Sequence, residues 1–110
     1  MHIVDAPPRP AIGVVFRAST HACLRLRERV PNYWDADIYR LRRILVALCY
    51  QGKRLTAEPW NTGQYYLASL ETDSNRWLVL VMQSLPDYPQ TSLVVTVLWA
   101  DQFALRGMFA

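Results

Sequence analysis

The spacing of apolar residues in this 110-residue chain changes period after Lys53-Arg54, and that change constrains the fold more than any single residue does. Before it, Ile38, Leu41, Ile44, Leu45, Leu48 and Cys49 recur at spacings of three and four, the stripe of an amphipathic helix, and Gly52 supplies a stop signal. After it, residues 64–71, 76–83 and 91–99 are strand-length runs rich in Val, Leu, Tyr and Trp. Thr72-Asp73-Ser74-Asn75 has the chemistry of a hairpin turn. Residues 84–90 hold two prolines and predict a longer connection outside any regular ladder. A chain that carries both periods has to bury a helix stripe and a sheet face against each other, which is an α+β domain.

The residues ahead of that helix extend the pattern. Residues 13–18 form a short β-branched and aromatic run that stops at Ser19-Thr20, good helix N-cap residues. A helix over 21–30 follows, with Ala22, Cys23, Leu26 and Val30 on one face and Pro31-Asn32 as its end; Asp35 or Asp37 favours the start of the next. The expected order is β-α-α-β-β-β, an antiparallel sheet with two helices packed on one face. Residues 1–12 read as a loose Pro-rich arm that adds little to the fold, and 13–110 as a single domain. The apolar tail over 100–110 fits either a short helix or an extension.

A hydrophobic content of 52% suffices for one core without disulfides or metal. Cys23 and Cys49 sit among apolar helix positions and read as inert core thiols. No apolar run approaches the roughly 20 residues of a membrane span, and the start of the chain lacks the pattern of a secretion signal. A cytoplasmic protein with no membrane partner is the expectation.

Charge is distributed unevenly. Arg17, Arg25, Arg27, Arg29, Arg40, Arg42, Arg43, Lys53 and Arg54 are nine of the twelve basic residues and share their stretch with only Glu28, Asp35 and Asp37, so that stretch carries +6 and the rest −3 within a net +3. A positive lobe of this kind concentrates polyanions, either RNA or an acidic protein surface.

Within it, His21, Arg25 and Arg29 are four residues apart and project from a helix as one row. An imidazole can take a proton near neutral pH. Guanidinium groups can stabilise the pentacoordinate phosphorus formed when a ribose 2′-hydroxyl attacks its own phosphodiester. These are the parts of a metal-independent ribonuclease, with His21, Arg25 and Arg29 as catalytic candidates. The alternative is that His21 only opens a helix and the arginines are solvated, with Arg29 paired to a carboxylate. On the next helix Tyr39, Arg43 and Tyr50 share the polar face, flanked by Arg40 and Arg42. Such tyrosines stack on unpaired bases at about 1–3 kcal/mol each, or cover a sheet edge. Together with Lys53 and Arg54, Tyr39 and Arg43 are the candidate substrate-binding residues.

Other chemistries lack their parts. With His2 and His21 the only histidines, no His/Cys metal site is spelled out, and the four glycines are too far apart for a phosphate loop. No cofactor and no metal are expected.

The segment Ser19-Thr20-His21-Ala22, followed by Arg25 and Glu28-Arg29, resembles the S-x-H-A…R…E-R start of small ribonuclease-like toxins in the barnase, EndoU, colicin and RelE superfamily. The resemblance implies a strand, one or two helices and an antiparallel sheet over about residues 14–99, with His21 as catalytic histidine and Arg25 and Arg29 as phosphate or transition-state ligands. Members of that group also bring polar or basic groups from the sheet, where this chain offers Thr91, Ser92 and Thr96 in its last strand. Pro31-Asn32-Tyr33-Trp34 stands in place of a short turn.

Two functions remain open. One is an RNA-cleaving, toxin-like hydrolase, with an acidic antitoxin as its natural partner. The other is a non-enzymatic binding protein, such as a host-factor or defence-system inhibitor, whose basic lobe and Trp34, Trp60, Tyr65 or Tyr66 form a protein interface.

Overall fold

The computed structural model describes residues 3–4 and 15–105. In chain order the elements are β1 (Ile3–Val4), β2 (Val15–Ala18), α1 (Thr20–Arg29), a 3-10 turn (Pro31–Tyr33), α2 (Ile38–Gln51), β3 (Lys53–Leu55), β4 (Gln64–Glu71), β5 (Arg76–Leu85), β6 (Tyr88–Trp99) and α3 (Ala100–Leu105). The strands form one sheet in the order β1-β3-β4-β5-β6-β2.

Both long helices begin on side-chain caps. Ser19 accepts from the amide of Ala22 and Asp37 from that of Arg40, satisfying donors that the first turn leaves unpaired. Gly52 ends α2, but for a different reason than expected. Its φ of −69° is open to any residue, whereas a Cβ there would lie 3.0 Å from the Cβ of Leu67 on β4. The glycine permits close approach of helix and strand rather than a left-handed cap.

Alternation along the strands sends side chains to two cores. Leu67, Leu78, Leu80, Met82, Val94, Val97 and Trp99 face α1 and α2, which contribute Ala22, Cys23, Leu26, Leu41, Leu45, Leu48 and Cys49. On the other side of the sheet Leu55, Tyr66, Ala68, Val79, Val81 and Leu98 pack with Phe103 of α3. Trp60, Tyr66 and Phe103 form a ring cluster there, with centroids 4.8–5.6 Å apart.

The expected α+β class holds, and the finer topology is corrected in three places. First, the sheet is mixed, because β2 runs parallel to β6 while the other pairs are antiparallel. The two helices form part of the long crossover that parallel pairing requires. Second, the expected order lacks two strands: β3, which follows α2 directly and pairs with β4, and, within the 1–12 arm, Ile3–Val4, which pairs with Leu55 and Arg54 and supplies an edge strand. Third, the 84–90 connection is a tight hairpin: Leu85 pairs with Tyr88, and a register shift beside Ser84 absorbs the inserted residues around Pro89. Of the two forms open to the 100–110 tail, its start takes the helical one, on the face opposite α1 and α2, and residues 106–110 lie outside the described residues.

One buried carboxylate locks the neck of the fold. Glu71 is 1% exposed and accepts from the hydroxyl of Tyr33 at 3.1 Å, the amides of Asp73 and Ser74 at 3.0 and 2.9 Å, and the Ser74 hydroxyl at 3.1 Å. It therefore holds the β4–β5 turn and the α1–α2 connection together. Burial, then the hydrogen bond to Glu71, pushes the Tyr33 hydroxyl up to about 12.

Candidate functional site

The basic stretch divides into two regions on opposite flanks of α1. His21, Arg25 and Arg29 lie on the flank turned towards the outer edge of β6. β2 covers β6 only from Thr91 to Val94, which leaves the carbonyls beyond that point as an open edge. Arg29 Nε donates to the Val97 carbonyl at 3.4 Å, and Ser19 Oγ lies 3.5 Å from the Val95 carbonyl. Arg25 is held by Glu28 at 2.6 Å across one helical turn. It is thus Arg25 that meets a carboxylate, while the arginine expected to do so covers a strand edge. His21 is exposed on the first turn. The three side chains share a row, as their spacing dictates, but two of them are already directed at groups of the protein itself.

The sheet adds nothing to this row. Ser92 is occupied by the hydroxyl of Tyr65 at 2.6 Å. Thr96 pairs with Val81, whose side chain belongs to the core on the opposite face, so its hydroxyl leaves the sheet away from α1. Among the described residues no group of three or more His, Cys, Asp or Glu is placed to hold a metal ion, and no helix is long and apolar enough to cross a membrane.

The second region is the outer face of α2. Tyr39 and Tyr50 are 73% and 52% exposed, and Arg43 lies between them in the helical row. Arg42, Arg43, Val46, Ala47 and Tyr50 line a shallow, open depression whose surface is almost wholly apolar. The Tyr50 ring meets Phe16 of β2 edge-on at 4.9 Å, so this tyrosine does cover the sheet border; Tyr39 stands in solvent. Arg42 donates to Thr20 Oγ1 at 3.1 Å and thereby bridges the two helices on the side of α1 away from the His21 row. Burial raises the Cys23 thiol, an effect that the nearby Arg42 charge partly offsets. Cys49, beneath the same helix, is pushed by burial up to about 12. Neither thiol presents a thiolate near neutral pH.

Lys53 and Arg54 do not act as a pair. Successive residues of β3 point to opposite faces: Lys53 pairs with Ala68 of one core and Arg54 with Leu67 of the other. The Arg54 guanidinium lies 4.5 Å from the centre of the Tyr65 ring. The four aromatics expected at an interface are also sorted by the fold. Trp34 is 75% exposed, whereas Tyr66 is fully buried and Trp60 and Tyr65 are half-buried. Val46 and Ala47 were absent from the sequence-derived set; their spacing from Tyr39 and Tyr50 was the available signal. No protein-family model, curated protein or solved structure gave a significant match to the chain.

Proposed function

We propose that this chain is a non-enzymatic binding protein that holds an acidic protein surface against the outer face of α2. The observation that carries the reading is the apolar depression over Val46 and Ala47, rimmed by Arg42, Arg43 and Tyr50. Exposed Tyr with Arg around an apolar floor is the composition of a protein-interface anchor: the rings bury area at low entropic cost, and the guanidinium groups take carboxylates at the rim. A phosphate backbone would find cations there but no polar floor. The RNA-cleaving alternative calls for Arg25 and Arg29 to be aimed at a phosphate, and both serve partners within the protein.

Photo-crosslinking in cells tests the reading, with the reactive side chain placed at position 39 and, as a control, at the exposed Tyr88 on the distant β5–β6 hairpin. The expected result is an acidic protein captured from position 39, not from 88, and lost in Arg42→Glu/Arg43→Glu. RNA captured at position 39, or cleavage of single-stranded RNA by the purified chain in the presence of a chelator and its loss in His21→Ala, would overturn it.

A further inference from the structure

We infer that the segment seated on α2 is itself an α-helix, acidic and amphipathic, lying lengthwise along the stripe; this rests on the binding reading above. Tyr39, Arg43, Val46 and Tyr50 are separated by four, three and four residues, the alternation of the seam positions in a two-helix coiled coil. The inner stripe of the same helix, Ile38, Leu41, Leu45 and Leu48, follows the complementary three, four, three and is packed against the sheet and α1. α2 thus carries two seams, one filled by its own domain and one turned outward.

The outward seam has the features that a second helix needs. The eleven steps from Tyr39 to Tyr50 at the helical rise cover about 16 Å, roughly three turns of a partner. Val46 and Ala47 line the seam's depression together with Arg42, Arg43 and Tyr50, and the exposed Tyr39 stands one turn before Arg43. A large apolar side chain from the partner enters the depression beside Tyr50 as a knob into a hole. Arg43 lies within the seam and lines the depression, a position from which an arginine packs its aliphatic stem against a partner and keeps its charged head in water. Arg40 and Arg42 occupy the positions beside the seam, where facing helices match opposite charges. The partner therefore bears Asp or Glu beside its own apolar row. An extended strand, with period two, cannot keep register with a four-three-four row.

The probe is a stapled three-heptad peptide with Leu at the seam positions and Glu beside them, labelled for fluorescence anisotropy. Comparison ligands are an unstapled peptide of the same composition in strict Leu/Glu alternation, a Lys-flanked version of the helix, and a single-stranded oligouridylate. The stapled acidic helix should bind. Its affinity should fall at least roughly tenfold in Val46→Glu and in Arg42→Glu/Arg43→Glu, and the latter variant should gain the Lys-flanked helix. Arg43 is exposed and Arg42 and Val46 are partly exposed on the outer face of α2, and circular dichroism verifies that each variant keeps its helices. Equal binding of the alternating peptide would overturn the helical partner while leaving the acidic-protein reading intact. Binding of the oligouridylate with no binding of either acidic peptide would overturn both.

Discussion

α1 and α2 each carry three arginines, Arg25, Arg27 and Arg29 on one and Arg40, Arg42 and Arg43 on the other, yet the fold uses the two sets differently. On α1 a carboxylate one turn away holds Arg25, and an open strand edge draws Arg29. On α2 Arg42 ties the helices together, and Arg43 stands beside an apolar depression between two exposed tyrosines. What a cation does is decided by what lies beneath it. α1 rides over the border of the sheet, where unpaired carbonyls need donors; the outer face of α2 looks away from both cores.

The comparison breaks most readily at α2. Arg42→Glu/Arg43→Glu should lower affinity for the cellular partner about 100-fold, since each reversal replaces an attraction by a repulsion, and should lower the melting temperature by no more than roughly 4–8 °C through loss of the Arg42–Thr20 hydrogen bond. Equal loss from Arg25→Glu/Arg29→Glu would erase the distinction between the helices.

Alkaline titration probes what the two helices share. Cys49 on the inner side of α2 and Tyr33 between the helices both have protons held up to about 12, against 9.0 and 10.0 for ordinary groups. The unfolded chain releases these protons first, so their contribution to stability is fully present below about pH 9 and is lost as the pH rises towards 12. Denaturant midpoints measured across that window should fall steadily. Cys49 should resist alkylation at pH 8 until the chain unfolds.

Smaller effects sharpen the α1 side. Arg29→Ala should cost about 1 kcal/mol by uncovering the Val97 carbonyl, lowering the melting temperature by roughly 4–8 °C with partner affinity unchanged. His21→Ala should change stability by no more than about 0.5 kcal/mol and leave binding intact, as expected of an exposed side chain outside the interface.

Local features of the chain were legible because their causes are local. The stripe beginning at Ile38 marks the first residue of α2, the run 64–71 coincides with β4, and Ser19 caps α1. Pairing across long separations was not legible: nothing near Val15 says that it will lie parallel beside Thr91, and nothing in Ile3–Val4 names Arg54 and Leu55. The prolines of the β5–β6 connection suggested a loop because a bulge that tolerates them leaves no local mark. The candidate site was half legible. Helical spacing put Tyr39, Arg43 and Tyr50 on one face, whereas the burial of Tyr66, the opposite orientations of Lys53 and Arg54, and the carbonyl that draws Arg29 all depend on which strands lie alongside.

The sequence by itself determined that this chain has two helices followed by a three-strand meander and a concentration of positive charge on the helical part, because period, caps and turns act over a few residues. Only the tertiary structure decided which of those charges are engaged. That outcome follows from the outer edge of β6 falling under α1 and from α2 presenting its second seam outward, relations between segments up to 76 residues apart that no local spacing encodes.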